Sequence, residues 1–205
     1  WLFSSSLKTE ASVFARPPEI FPMHPTLDAY ITQLNQVTFD ILGSFKNSLL
    51  ISFCTMIISV TLAIPAAYGL ARFRIKGKNL IVFLFLVSQM LPQIFTLIPN
   101  FIIFKKIGIY NTYWAPILSN CTLAIPFSLM RAFFVGIPTE IDEAARIDGC
   151  NAFQSFIRVM LPMSANGLAV TFVFSFLFGY QDMMYSLTYV TDSAMWPVTT
   201  GIYNV

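Results

Sequence analysis

Gln89, Gln93, Thr96 and Asn100 are spaced i, i+4, i+7 and i+11, so on a helix all four project from one stripe. Amides and hydroxyls in such a row can hydrogen-bond a polar solute or a neighbouring helix. Two readings therefore stand: a stripe that lines a translocation path, or one that packs against another span. Ser175, Gly179, Asp182 and Ser186 repeat the spacing, beside Tyr180 and Gln181. Asp182 is the one acid bordering an uncharged apolar run. A charge at bilayer depth is expensive and points to function, unless it lies near enough to the outer interface to be hydrated.

Bond-making chemistry has no comparable constellation. His24 is the sole histidine, without partners for a metal or proton site, and reads as a solvated loop residue. Cys54, Cys121 and Cys150 are odd in number and unpaired in spacing, which suits small apolar fillers rather than a disulfide framework or a metal site. Neither HExxH nor Gly-x-Ser-x-Gly occurs. The one Gly-Lys pair, Gly77-Lys78, is followed by Asn79 and has Arg72 where the first glycine of a phosphate-binding loop belongs, so the chain cannot itself cradle ATP.

The elements that must carry these residues belong in a lipid membrane. Of 205 residues, 56% are hydrophobic and 11% charged, with mean hydropathy +0.69, too little polar surface to coat a soluble particle. Residues 47–71, 79–104, 107–130 and 159–181 contain no Asp, Glu, Lys or Arg. Each is long enough to cross about 30 Å of hydrocarbon as a helix, the form that satisfies its own backbone in lipid. The expected fold is an all-α membrane bundle with four complete spans. Ala63, Ala67 and Ala71, at i+4 steps, predict a close seam between helices or subunits. Pro92 and Pro99 interrupt the second span and are expected to kink it or free carbonyls.

Net charge is +2 and no patch suits nucleic acid. Placement of charge says more. Arg72, Arg74, Lys76 and Lys78 crowd one short loop, which the positive-inside rule puts in the cytoplasm. With Arg131, Arg146 and Arg158 on the same side, the inside holds seven basic residues against five outside: Lys8, Arg16, Lys46, Lys105 and Lys106. Residues 1–44 then comprise the tail of a preceding helix at Trp1–Phe3 and an extracytoplasmic loop with Pro17, Pro18, Pro22 and Pro25 and a short helix after Thr26. Residues 45–205 form the spanning domain. Its end, Thr191–Val205, is polar and broken by Pro197 and Gly201, and a further span is expected after it.

Between two spans lies a polar, helix-capable segment, Ile137–Pro162. Thr139 is placed to cap free amides, with Asp142 three residues later and acids in the first turn. Gly149 closes that helix; Asn151 and Gln154 start a second, running through Phe153, Phe156 and Ile157 into Leu161-Pro162. A helix this short is marginal in water, so packing must hold it, and Ala144 and Ala145 offer a smooth face to a partner.

Glu143-Ala144-Ala145, Asp148-Gly149, Ile157 and Leu161-Pro162 resemble the cytoplasmic EAA loop of binding-protein-dependent ABC importer permeases. The likeness extends over most of the chain and is strongest to the carbohydrate-uptake branch, the group of the maltose permeases. It rests also on Phe45–Leu49, Ala67–Phe73, Gln89–Pro92, Ile98-Pro99, Asn111–Tyr113, Ile137-Pro138, Ser6–Lys8 and Pro25–Leu27. Asn166 stands where the family often has a proline, and Tyr180-Gln181-Asp182 where many members carry Trp-Asn-Glu or Trp-Asn-Asp, which bears on the substrate rather than the fold.

The resemblance implies a helical bundle of the ABC type I importer permease fold in the prokaryotic inner membrane, with the EAA coupling loop at 137–160. It implies that Glu143, Ala144, Ala145, Asp148 and Gly149 contact the ATPase, and that Gln89, Gln93, Thr96, Asn100, Tyr180, Gln181 and Asp182 are the candidates for the substrate path. Its implied partners are a second homologous permease subunit, two ATP-binding subunits that use ATP and Mg, and an extracytoplasmic solute-binding protein. No cofactor is expected on the chain itself. The alternative, an ion-gradient-driven secondary transporter or channel, should show intramembrane carboxylates, histidines or paired basic residues, and only Asp182 qualifies.

Overall fold

In a computed structural model the chain is helical, with no strand among the described residues, which are 2–14, 20–22, 24–34, 40–121 and 124–203. Trp1, Arg16, Pro17 and Pro18 lie outside them. Short helices at Leu2–Ser6, Glu10–Val13 and Asp28–Leu34 precede the bundle, the last where a helix after Thr26 is expected.

Among the described residues helix α1, Ile41–Arg72, is the one unbroken helix of spanning length, 32 residues. It starts six residues before the expected span, at the Asp40 cap, whose Oδ1 accepts from the Gly43 amide at 2.9 Å. Pro65 lies inside it without ending it.

The other three expected spans are bent pairs. Helices α2, Lys78–Gln89, and α3, Ile94–Ile107, meet at 97°. Pro92 sits at that break, whereas Pro99 lies within α3, where its missing amide leaves the Phe95 carbonyl without its helical donor; one proline kinks the span and the other frees a carbonyl. Helices α4, Trp114–Asn120, and α5, Ala124–Gly136, form the next pair; residues 107–113, expected in the span, lie before it, and α5 runs past the expected end. Helix α6, Thr139–Ile147, follows. The run Ala152–Met163, here α7, contains a π-helical stretch at Phe156–Met160 and meets α8, Ala165–Tyr180, at 81°. The last expected span is therefore folded over at Ser164, two residues after Pro162. Helices α9, Met184–Tyr189, and α10, Val198–Tyr203, complete the chain.

The core lies where α1, α5 and α7 meet. Val60, Ala63, Ile64 and Ala67 of α1 pack against Phe127, Met130 and Phe134 of α5 and Phe156 and Met160 of α7. The alanine seam is thus an interhelix contact within the chain, with Ala63 and Ala67 buried. In lipid, burial of apolar surface supplies little drive between helices, so close approach of small residues carries the packing.

Candidate functional site

The first candidate is the segment after α5. Pro138 precedes α6 in an extended conformation, and no side chain caps the helix. The expected Thr139–Asp142 cap does not form, because Asp142 turns inward instead. Asp142 is 7% exposed and Ala145, one turn on, 6%. Glu143, Ala144, Arg146, Ile147, Asp148 and Gly149 face outward. Of the two alanines expected to form one smooth face, only Ala144 is exposed, with Glu143 and Ile147, whereas Ala145 packs inward.

Gly149 has φ +86°, a left-handed conformation that closes the helix and that L side chains rarely adopt. Asn151 and Gln154 then start the second helix, as expected, through a capping box in which each side chain accepts from the other's amide at 2.9 Å. The result is a helix, a glycine turn and a second helix, with Ile147 at 86% and Phe153 at 71% exposure on either side of the turn.

Under α6 sits a polar knot missed by the sequence reading. Asp142 accepts from the Tyr68 hydroxyl at 3.3 Å and from Ser155 Oγ at 2.7 Å, both at Oδ1, and its Oδ2 lies 3.1 Å from Arg72 Nε. Arg72 also donates from Nη2 to the Ile137 carbonyl at 2.7 Å. Tyr68 forms the aromatic floor, its ring 4.8 Å from Phe156 and 5.6 Å from Phe134. The only sequence signal for this knot is an acid placed three residues before Ala145, on the face that packing must bury.

The second candidate is a pair of cavities at the α2–α3 break. One of about 300 Å³ is lined by residues including Gln93, Asn120, Phe178, Gln181 and Asp182. The other, about 290 Å³, touches Ser88, Gln89, Gln93 and Phe178, so Gln93 and Phe178 border both.

The expected polar stripe is not continuous. Gln89 ends α2 and makes a long 3.5 Å contact to Ser128; Gln93 precedes α3. Thr96 donates to the Gln93 carbonyl at 2.7 Å and meets the Tyr185 hydroxyl at 3.3 Å, while Asn100 lies beside the Tyr189 hydroxyl. Gln89 and Gln93 border cavities, whereas Thr96 and Asn100 pack between helices.

The Ser175–Ser186 row is likewise interrupted, since α8 ends at Tyr180. Asp182 is 5% exposed. Its Oδ1 accepts from the Tyr185 amide at 3.2 Å and its Oδ2 from the Ser186 amide and hydroxyl at 3.1 and 2.5 Å. Burial pushes its carboxyl above the usual range, against the pull of the Ser186, Asn120 and backbone hydrogen bonds. Its lone pairs are committed to the first turn of α9, which leaves Gln93 and Gln181 as the freer polar groups. Tyr180 stacks on Phe176 at 5.9 Å. Among the described residues no group of His, Cys, Asp and Glu could hold a metal ion.

One long apolar helix and three bent apolar pairs, with α6 and its glycine turn set between two of them, are the architecture of a polytopic membrane protein. Residues 59–197 match the family described as "Binding-protein-dependent transport system inner membrane component", and the chain belongs to it. It is 32% identical over 205 residues to the probable ABC transporter permease protein YurM of Bacillus subtilis (strain 168), covering 98% of this chain and 67% of that protein. It is 32% identical over 206 residues to the trehalose transport system permease protein SugB of Mycobacterium tuberculosis (strain CDC 1551 / Oshkosh), covering 100% and 74%. The fold is that of ABC type I importer permeases. The whole chain superposes, at TM-score 0.83 and 21% identity, on 71% of a chain in the crystal structure of a bacterial ABC transporter involved in the import of the acidic polysaccharide alginate.

Proposed function

We propose that this chain forms half of the translocation pathway of an ATP-driven importer for a sugar or related small solute. A second homologous permease supplies the other half, an extracytoplasmic solute-binding protein delivers the solute, and two ATPase subunits dock on the coupling loop and hydrolyse ATP with Mg. The loop's outward face, Glu143, Ala144, Asp148 and Gly149 with the exposed apolar Ile147, is what carries the reading. A helix of nine residues is marginal by itself, yet α6 is held rigidly from below and leaves a large apolar side chain uncovered. The sugar class rests on the relatives' names, one of which is a trehalose system permease. Closure of the ATPases on ATP pulls α6 and tilts the spans between inward- and outward-open states. The amides at Gln93 and Gln181, with Phe178, border the space through which a hydroxylated solute would pass.

The test is uptake into vesicles carrying the intact complex. Uptake that requires ATP and survives collapse of the ion gradients supports the importer. Uptake driven by a proton gradient without ATP would establish the secondary transporter instead.

A further inference from the structure

Three elements converge on one carboxylate. Tyr68 and Arg72 stand one turn apart at the end of α1, Asp142 lies mid-way along α6, and Ser155 closes the first turn of α7. The side chains of Arg72 and Asp142 are 6% and 10% exposed. Desolvation offsets most of what a buried ion pair gains, so such a pair adds little to stability, whereas losing one partner strands a buried charge. What the arrangement does fix is geometry. Both oxygens of Asp142 are engaged from α1, at two points one turn apart, so α6 cannot roll about its axis without breaking one contact. Arg72 reaches the carbonyl of Ile137 as well, the residue before Pro138, and so holds the start of α6 as well as its middle.

At its far end α1 is also tied to the fold. Asn47 donates to the carbonyls of Ala194 and Trp196 at 2.8 and 3.1 Å and accepts from the Tyr113 hydroxyl at 2.8 Å. With 32 residues, α1 is about 48 Å long, enough to join the two faces of a bilayer.

We propose that Arg72 and Asp142 latch α6 to α1 as one rigid body, so that displacement of the coupling helix is delivered along α1 to the loop that Asn47 holds on the opposite face. The inference rests on the coupling role assigned to α6 above. Asp142 is then a positioning residue: it does not touch the ATPase, and it decides which span the ATPase moves.

The test places spin labels at Glu140→Cys on α6 and Leu62→Cys on the exposed face of α1, with Cys54, Cys121 and Cys150 replaced by Ala. The intact complex, purified with its own ATPase subunits, is measured nucleotide-free and trapped with ATP and vanadate. The latch predicts one label-to-label distance, the same in both states. In Asp142→Asn, near in shape but uncharged, the distance should shift between states; in Asp142→Glu, which keeps the carboxylate, the invariance should return. A distance that changes with nucleotide in the unsubstituted pair overturns the latch whether or not the Asn variant assembles, and so does an Asn variant as invariant as its parent. Crosslinking from Ile147→Cys to the ATPase separates the two claims. If that crosslink forms and the latch result fails, only the latch is lost; if it does not form, the coupling role fails first.

Discussion

Gly179 of α8 lies so close to Ser52 of α1 that a Cβ on the glycine would stand 2.8 Å from the Ser52 Cα and 3.2 Å from the Thr55 Cβ. The seam around it is built from small and hydroxylated residues, Ser52, Thr55 and Ser59 facing Thr171, Ser175 and Gly179, all buried. Ser52 and Thr171 hydrogen-bond carbonyls of their own helices at 2.6 and 2.7 Å, and at Gly179 backbone approaches backbone.

Gly179→Ala should force α1 and α8 apart. Overpacking of this kind costs about 1–3 kcal/mol, and here the obstacle is backbone, which cannot rotate away. Thermal unfolding of the purified chain in detergent should show a lower midpoint. An unchanged midpoint would mean that the two helices are not in this register.

Asn111 ties the α3–α4 connection to the segment after α9. Its φ is +57°, its amide donates to the Tyr189 carbonyl at 2.9 Å, and its Oδ1 accepts from the amides of Thr191 and Asp192 at 2.8 and 3.0 Å. Asn111→Ala removes the acceptor and leaves a residue that strains in this conformation, for a combined loss of about 2–4 kcal/mol. Asn111→Gly restores the backbone freedom but not the acceptor, so its melting midpoint should fall between wild type and the alanine variant.

Gly149 is a matter of backbone, not space, since nothing stands within 4 Å of a Cβ there. Asn tolerates left-handed conformations and proline is locked near φ −65°. Gly149→Asn should therefore preserve uptake per ATP hydrolysed, whereas Gly149→Pro should uncouple the two by about tenfold or more. Normal transport in the proline variant would show that the turn has no part in coupling.

Much of this molecule was legible in its residues, and the losses have identifiable causes. The spans follow from charge-free apolar length, because lipid admits few other backbones. Where they bend does not follow from proline: Pro65 and Pro99 sit inside intact helices, whereas Pro92 sits at a 97° break. Neighbouring helices decide whether a freed carbonyl becomes a kink, and no local pattern records them. The helix end at Gly149 and the helix start at Asn151 and Gln154 are local devices, and both fall where the sequence puts them. Asp142 is the opposite case. Its neighbours suggest a cap, but Arg72 and Tyr68 lie a domain's length away in the chain and reach it only through the tertiary fold.

The central claim is that α6 is the surface an ATPase grips. Photocrosslinking from position 147, carried out on the complex in its native membrane, tests it most directly, because Ile147 is 86% exposed and lies on the outward face of the helix beside Gly149. The account predicts a covalent adduct to a nucleotide-hydrolysing subunit, diminished by Gly149→Pro. Labelling of position 147 by a membrane-impermeant reagent added from the extracytoplasmic side, with no adduct to any ATPase, would contradict it.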